Sequence, residues 1–295
     1  MKKSLLLLVS DSWGVGAEIE KVEDNLYVNH LQQYLGFDEI KNLSMSGQTN
    51  DSIYQSTISS IFEYKDKFNL FVLVGWTSPE RKLFSFNRLY EGGKSPYNFS
   101  HVPGMIYQED KDYGCDSPKQ KSDLKHFLNL YNKYCWSVEE SLERWSYQMV
   151  TLHRLLISYD IKHLFFNNFY PYGSMYDFFK DSIIDNVMQS DVDEFFGHNE
   201  EVKDLHLYSE PLKSIDELNF NKNKKKIISQ INKKNIFPNT LLNVLRDKYE
   251  NKERPPMKVS SAKPNNPTLA SGGHPNEFGH IEIANMLYNY IKEID

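Results

Sequence analysis

Three short stretches of the chain are apolar with almost no polar interruption: Leu5 to Val9, Leu70 to Val74 and, opening on a histidine, His163 to Asn167. A strand with one wet face alternates apolar and polar residues. A strand covered on both faces need not, and such strands belong to parallel sheets sandwiched between helices. Helical patterns fall between these runs, at about 25–35, 51–64 and 137–159, with a further short strand near 39–43. In the long pattern, Leu142, Trp145, Met149, Leu152 and Leu156 recur at helical spacing, and Ser137 with Glu140 forms a capping box at its start. A last helix is predicted from about Asn276, with Ile281, Ala284, Leu287 and Ile291 as its buried stripe. Strands alternating with helices in this way predict stacked βαβ units and an α/β fold built on a central parallel sheet.

Two stretches fall outside the repeat. Residues 82–136 and about 172–270 read as polar, aromatic-rich and irregular, the latter ending in an extended connector from Arg254-Pro255-Pro256 to Pro267. Loops this long within a compact domain are usually functional elaborations. Both follow strand ends, so both are expected over the C-terminal edge of the sheet, where open α/β sheets bind ligands. The organisation expected is one domain over 1–295 carrying two insertions.

Composition narrows the function. The net charge of −6 argues against general binding to a phosphate backbone, and the basic tract Lys222 to Lys226 with Lys233-Lys234 reads as a solvated face. Cys115 and Cys135 stand without CxxC or Cys/His spacing, so neither zinc nor a disulfide framework is indicated. His274 and His280 lie six apart, which does not set two ligands on one helical face, so no metal and no cofactor is expected. The apolar start is too short for a full signal-peptide core and no stretch reaches the ~18 apolar residues of a membrane span. The expectation is a reduced, cytoplasmic protein with no nucleic-acid or membrane partner.

Chemistry-bearing residues gather at strand ends. Asp11-Ser12-Trp13-Gly14 follows the first strand, so the Ser12 hydroxyl can stand on a tight turn facing a pocket; the plainer reading is an Asp-Ser turn. Ser44-Met45-Ser46-Gly47 follows the second, with a glycine whose bare amide can approach a ligand oxygen. Near the C-terminus, Ser271-Gly272-Gly273-His274-Pro275 places a histidine between flexible glycines and a proline, just ahead of a helix.

In type and in order these blocks resemble the SGNH (GDSL-like) hydrolases. The Gly-Asp-Ser block of that family falls on Ser10-Asp11-Ser12, its glycine block on Asn42 to Gly47, its Gly-x-Asn block on Gly75-Trp76-Thr77, and its Asp-x-x-His block on Ser271 to His274. The resemblance implies a flavodoxin-like three-layer sandwich and a serine esterase acting on an acyl ester, acetyl among the candidates, of a carbohydrate or small molecule. It implies Ser12 as nucleophile and His274 as base, with the Ser12 and Gly47 amides and the Thr77 hydroxyl as oxyanion donors. Trp13 and Trp76 would be pocket walls, core packing being the alternative. Two departures stand out: Thr77 replaces the oxyanion asparagine, and Ser271 replaces the triad aspartate, leaving a Ser-His dyad in which Ser271 or a backbone carbonyl orients the ring unless an acid from one of the two insertions does so. Besides the esterase, an O-acyltransferase and a weakly active or inactive scaffold that binds rather than reacts remain open.

Overall fold

The computed structural model describes residues 2–19, 25–77, 79, 81–90, 93–101, 117–135, 138–168, 227, 229–242, 244–245, 268–270 and 274–294. Strands β1 (Ser4–Val9), β2 (Glu39–Asn42), β3 (Asn69–Trp76), β6 (Lys162–Asn167) and β7 (Ile236–Thr240) form one sheet in the order β2-β1-β3-β6-β7. Every pairing within it is parallel. Successive residues of a strand point to opposite faces, and here both faces are apolar. Leu6 and Leu8 join Phe71, Leu73, Leu164 and Phe166 under helices α2 (Tyr27–Leu35) and α6 (Glu277–Ile294). Leu7 and Val9 join Val72, Val74 and Phe165 under α3 (Asn50–Tyr64) and α5 (Val138–Ser158). The unbroken apolar runs are therefore two half-cores written into one strand, and the architecture is the three-layer α/β sandwich with a parallel sheet.

Several elements differ from expectation. The stretch 82–136 is not irregular throughout: β4 (Lys82–Tyr90) and β5 (Gly93–His101) pair as an antiparallel hairpin, and Pro118–Tyr134 is helix α4. The ring of Phe84 meets that of Tyr131 edge-on at 4.9 Å, joining hairpin to helix. The fifth strand, β7, carries Pro238 and has an irregular register against β6, both tolerable because it lies at the sheet edge. On α6, Ile283 is fully buried where Ile281 is only half-buried, so the stripe is Ile283, Ala284, Leu287 and Ile291. Ser137 and Leu142 have no described side chains, and the residues expected as a connector lie outside those described.

Two buried histidine sites tie helices to this sheet. The Nδ1–H of His163 donates to the Ile161 carbonyl (2.9 Å), so its Nε2 accepts from His153 Nδ1 (2.8 Å), and His153 Nε2 accepts from the Asn232 amide (3.3 Å). Across the sheet, His280 Nδ1 accepts from the Tyr27 amide at 3.1 Å and its ring stacks on Tyr27, joining α6 to α2. Each arrangement needs a neutral ring. Burial lowers His163 from 6.5 to about 4 and His280 from 6.5 to about 3. The unfolded chain thus binds protons near pH 6.5 that the native chain refuses, so stability is full above that pH and is lost as pH falls towards 4. Urea unfolding at pH 7.5 and pH 5 should show a loss at the lower pH on the order of 2 kcal/mol for each ring. Replacing His163 by Gln should flatten part of that difference; an unchanged pH dependence would exclude His163 as a source.

Candidate active site

The nucleophile candidate is held by its own neighbour. Ser12 opens the single-turn helix α1 (Ser12–Val15), and the preceding Asp11 caps it, Oδ1 accepting from the Trp13 amide at 3.0 Å. The turn is stopped at once by Gly16, whose φ of 75° suits a residue without a side chain. Glu18 follows, also left-handed at φ 70°, an uncommon setting for a glutamate. This doubling-back returns the Glu18 carboxylate to the same side as Ser12.

His274 arrives from the far end of the chain. Its loop is pinned by an antiparallel bridge between Leu269 and Pro275, by Ala270 N–H donating to the His274 carbonyl (2.8 Å), and by Asn276 N–H donating to Thr268 O (3.0 Å). Gly279 in the first turn of α6 lets the Thr268 carbonyl approach so closely that any Cβ there would lie 2.1 Å from its oxygen.

These two pieces meet in a relay. His274 Nε2 lies 3.0 Å from Ser12 Oγ, and His274 Nδ1 lies 2.8 Å from Glu18 Oε2. A carboxylate only accepts, so Nδ1 carries the ring proton and Nε2 presents its lone pair to the serine hydroxyl. Glu18 Oε2 also accepts from the His274 backbone amide at 3.3 Å, fixing loop and ring together. Ser12 is buried, whereas the His274 and Glu18 side chains are 28% and 30% exposed, so the relay sits at the mouth of the sheet edge with one side open to solvent. Ser271, expected to orient the ring, lies outside the described residues, and the Nδ1 position is taken by Glu18.

Below the serine lies a buried polar layer that the sequence did not announce. Asn168, directly after β6, donates from Nδ2 to Asp11 Oδ1 (2.7 Å) and to Ser10 Oγ (3.2 Å). Its own backbone is bonded to the Trp76 carbonyl and to the Leu242 amide. Burial pushes the Asp11 carboxyl up, and the charge of Arg81 is the largest opposing influence. Asp11 and Asn168 are therefore structural keepers of the nucleophile turn.

The remaining candidates fall unevenly. The Gly47 loop runs beside β1, with Leu43 N–H donating to Leu8 O (2.8 Å) and Met45 N–H to Ser10 O (3.2 Å). Gly47 tops the turn closed by Gln48 N–H to Met45 O (3.2 Å), exposed and at φ 74°. Thr77 does not offer its hydroxyl to a ligand. It is fully buried, its backbone N–H and C=O are both paired with the Asn50 side chain (2.9 and 3.1 Å), and its hydroxyl is sealed beside the Asp11 carboxylate. Trp13 and Trp76 are not pocket walls either. Both are at most 1% exposed, Trp13 in the core under α2 and α6, Trp76 in the opposite core with its ring edge-on to Phe165.

No protein-family model and no curated protein matches the chain. Solved structures do resemble it in chain path. "Crystal Structure of TesA" superposes with a TM-score of 0.44 at 10% identity, covering 99% of both chains. A putative lipolytic protein of the G-D-S-L family from Desulfitobacterium hafniense DCB-2 gives 0.42 at 10% identity over 97% of this chain and 98% of its own. The psychrotrophic esterase EstA from Pseudoalteromonas sp. gives 0.40 at 8% identity over 98% and 97%. These are likenesses of chain path; the fold of this chain is the three-layer α/β sandwich with a parallel sheet in the order β2-β1-β3-β6-β7. Its strand order, its serine directly after β1 and its histidine directly before the last helix are observations on this chain alone.

Glu18 gives the site a direct test. With the carboxylate removed, the ring loses the group that selects its tautomer, a change that costs up to ~10⁴-fold in a serine protease. Labelling of Ser12 by a fluorophosphonate should slow by about 10²- to 10⁴-fold in Glu18→Gln. Labelling at the native rate would mean that something else orients His274.

Proposed function

We propose that this protein is a serine esterase in which Ser12 attacks the carbonyl of an acyl ester of a small molecule or carbohydrate. The observation that carries the reading is the Ser12–His274–Glu18 relay, with separations of 3.0 and 2.8 Å and a direction set by the carboxylate. Attack forms the bond from Ser12 Oγ to the acyl carbon while the hydroxyl proton passes to His274 Nε2. The carbonyl electron pair moves onto its oxygen, giving a tetrahedral oxyanion. Collapse of that intermediate expels the alcohol, which takes the proton back from His274, and leaves Ser12 acylated. Water then repeats the sequence and frees the acid. Through both halves Glu18 keeps the ring oriented and stabilises the imidazolium that forms.

The backbone amide of Ser12, at the start of α1, and that of Gly47 are the proposed first donors to the oxyanion. An inert scaffold fits this site less well, because drift would not be expected to preserve a serine, a histidine and a carboxylate in register from positions 12, 274 and 18. Acyl transfer uses the same first half-reaction and differs only in which nucleophile resolves the acyl-enzyme.

Hydrolysis of p-nitrophenyl acetate by the native protein, Ser12→Ala and His274→Ala tests the reading. Each substitution should lower the rate by at least ~10³-fold, towards the uncatalysed background. A weak rate indifferent to both would be surface chemistry and would overturn the proposal. Adding a sugar or alcohol acceptor to the native reaction distinguishes hydrolysis from transfer by the products formed.

A further inference from the structure

The proposed reaction places a full negative charge on the former carbonyl oxygen, in a site already flanked by two carboxyl groups. Glu18 lies behind His274, and Asp11 lies buried beneath Ser12. Preorganised donors aimed at the developing oxyanion usually supply the largest single part of such catalysis. The side chain that the sequence pattern offered for this, the Thr77 hydroxyl, is buried out of reach. The same strand exit carries a better-suited group four residues on. Arg81 is partly buried, and its Nη1 donates to the carbonyl of Gln48 at 3.4 Å, the residue next to Gly47. The guanidinium thus bridges the end of β3 to the loop that follows β2, the loop zipped along the exit of β1 through Met45 and Ser10. Its charge is also the strongest favourable one acting on buried Asp11, whose carboxyl adjoins the nucleophile in sequence and feels His274 as well. Arg81 therefore lies against the loop that carries Gly47 and near enough to Asp11 to be the strongest charge acting on it.

Resting on the esterase reading, we propose that Arg81 is a further catalytic residue, a cationic donor to the oxyanion formed when Ser12 attacks. A guanidinium has five N–H donors in a planar fork, so it can offer one to an oxyanion while its charge stays beside the Gln48 carbonyl. Its positive charge offsets the field of Asp11 and Glu18 at the point where the oxyanion forms, and a partly buried site preserves that effect against solvent screening.

The test uses p-nitrophenyl acetate kinetics and inhibition by phenylboronic acid, which forms a tetrahedral anionic adduct on an active serine. Arg81→Met should lower kcat by about 10²- to 10³-fold, leave KM within about threefold, and weaken phenylboronic acid binding in parallel. Arg81→Lys, which keeps the positive charge near Asp11, should fold normally and fall between the two, so the test survives if Arg81→Met is unstable. Asp11→Asn, alone and combined with Arg81→Met, decides whether Arg81 merely neutralises Asp11. Adding Arg81→Met should lower kcat as much in the Asp11→Asn background as in the native one; no further loss there would reduce Arg81 to a structural counter-charge and overturn the proposal. A loss expressed wholly in KM would overturn it too, by making Arg81 a substrate anchor. Ser12→Ala in the same series separates the two failures. A rate that Ser12→Ala leaves intact sinks the esterase reading, whereas a Ser12-dependent rate indifferent to both Arg81 variants sinks only the role of Arg81.

Discussion

Everything at the candidate site depends on β1 being paired on both edges, to β2 on one side and β3 on the other, with both faces under helices. A strand so enclosed cannot shift register without exposing one half-core and breaking two ladders, so its exit point is fixed. Ser12 stands three residues beyond that exit. The same parallel arrangement delivers the ends of β2, β3 and β6 to the same edge of the sheet, which is why Gly47, Thr77 and Asn168 converge there from distant parts of the chain. The site is a consequence of strand polarity before it is a consequence of any side chain.

Much of this was legible in the amino-acid order. Unbroken apolar runs are a strong signal because few other structures need them, and the exits of those runs are where functional residues of parallel sheets must lie. Ser12 and His274 could be read because each stands at a boundary marked by turn residues. Glu18 could not. Its contribution depends on two left-handed residues, Gly16 and Glu18, with Ala17 between them, and although Gly16 advertises such a turn, nothing in a lone glutamate advertises a positive φ. An orienting carboxylate is defined by where it ends in space, and the chain offers many acids whose spacing looks no worse. Trp76 was readable and misjudged: it continues the period-two face of Val72 and Val74, which points into the α3/α5 core rather than over the edge. The β4–β5 hairpin and α4 were hidden for another reason, since a polar, aromatic-rich hairpin lacks the clean alternation of a sheet with one dry face.

The polar layer under Ser12 shows how the fold reconciles stability with a reactive edge. A fully buried carboxylate is costly unless its oxygens are met by donors. Asp11 Oδ1 is met twice, by the Trp13 amide and by Asn168, and each of those bonds also fixes something the site needs. The first sets the start of α1, and the second ties the nucleophile turn to the end of β6. Gly75 permits this layer to form, because any Cβ there would lie 2.3 Å from Ser10 Oγ and 2.6 Å from the ring of Phe166. Removing a single member would therefore disturb the serine through packing as well as through hydrogen bonding, and the effects of neighbouring substitutions here should not add.

The choice of acid follows from the same geometry. An aspartate three residues before the histidine reaches Nδ1 from the histidine's own loop, so acid and base move together. Here the acid travels with the nucleophile instead: Glu18 is six residues after Ser12, on the turn that α1 begins, and the histidine docks onto that segment through both its ring and its backbone amide. Serine and carboxylate therefore form a preassembled cradle set by β1, and the base completes it by bringing one loop into place. The Leu269–Pro275 bridge and the Thr268 contact with Gly279 hold that loop, so in the proposed mechanism the base, rather than the acid, is the member whose placement depends on distant parts of the fold.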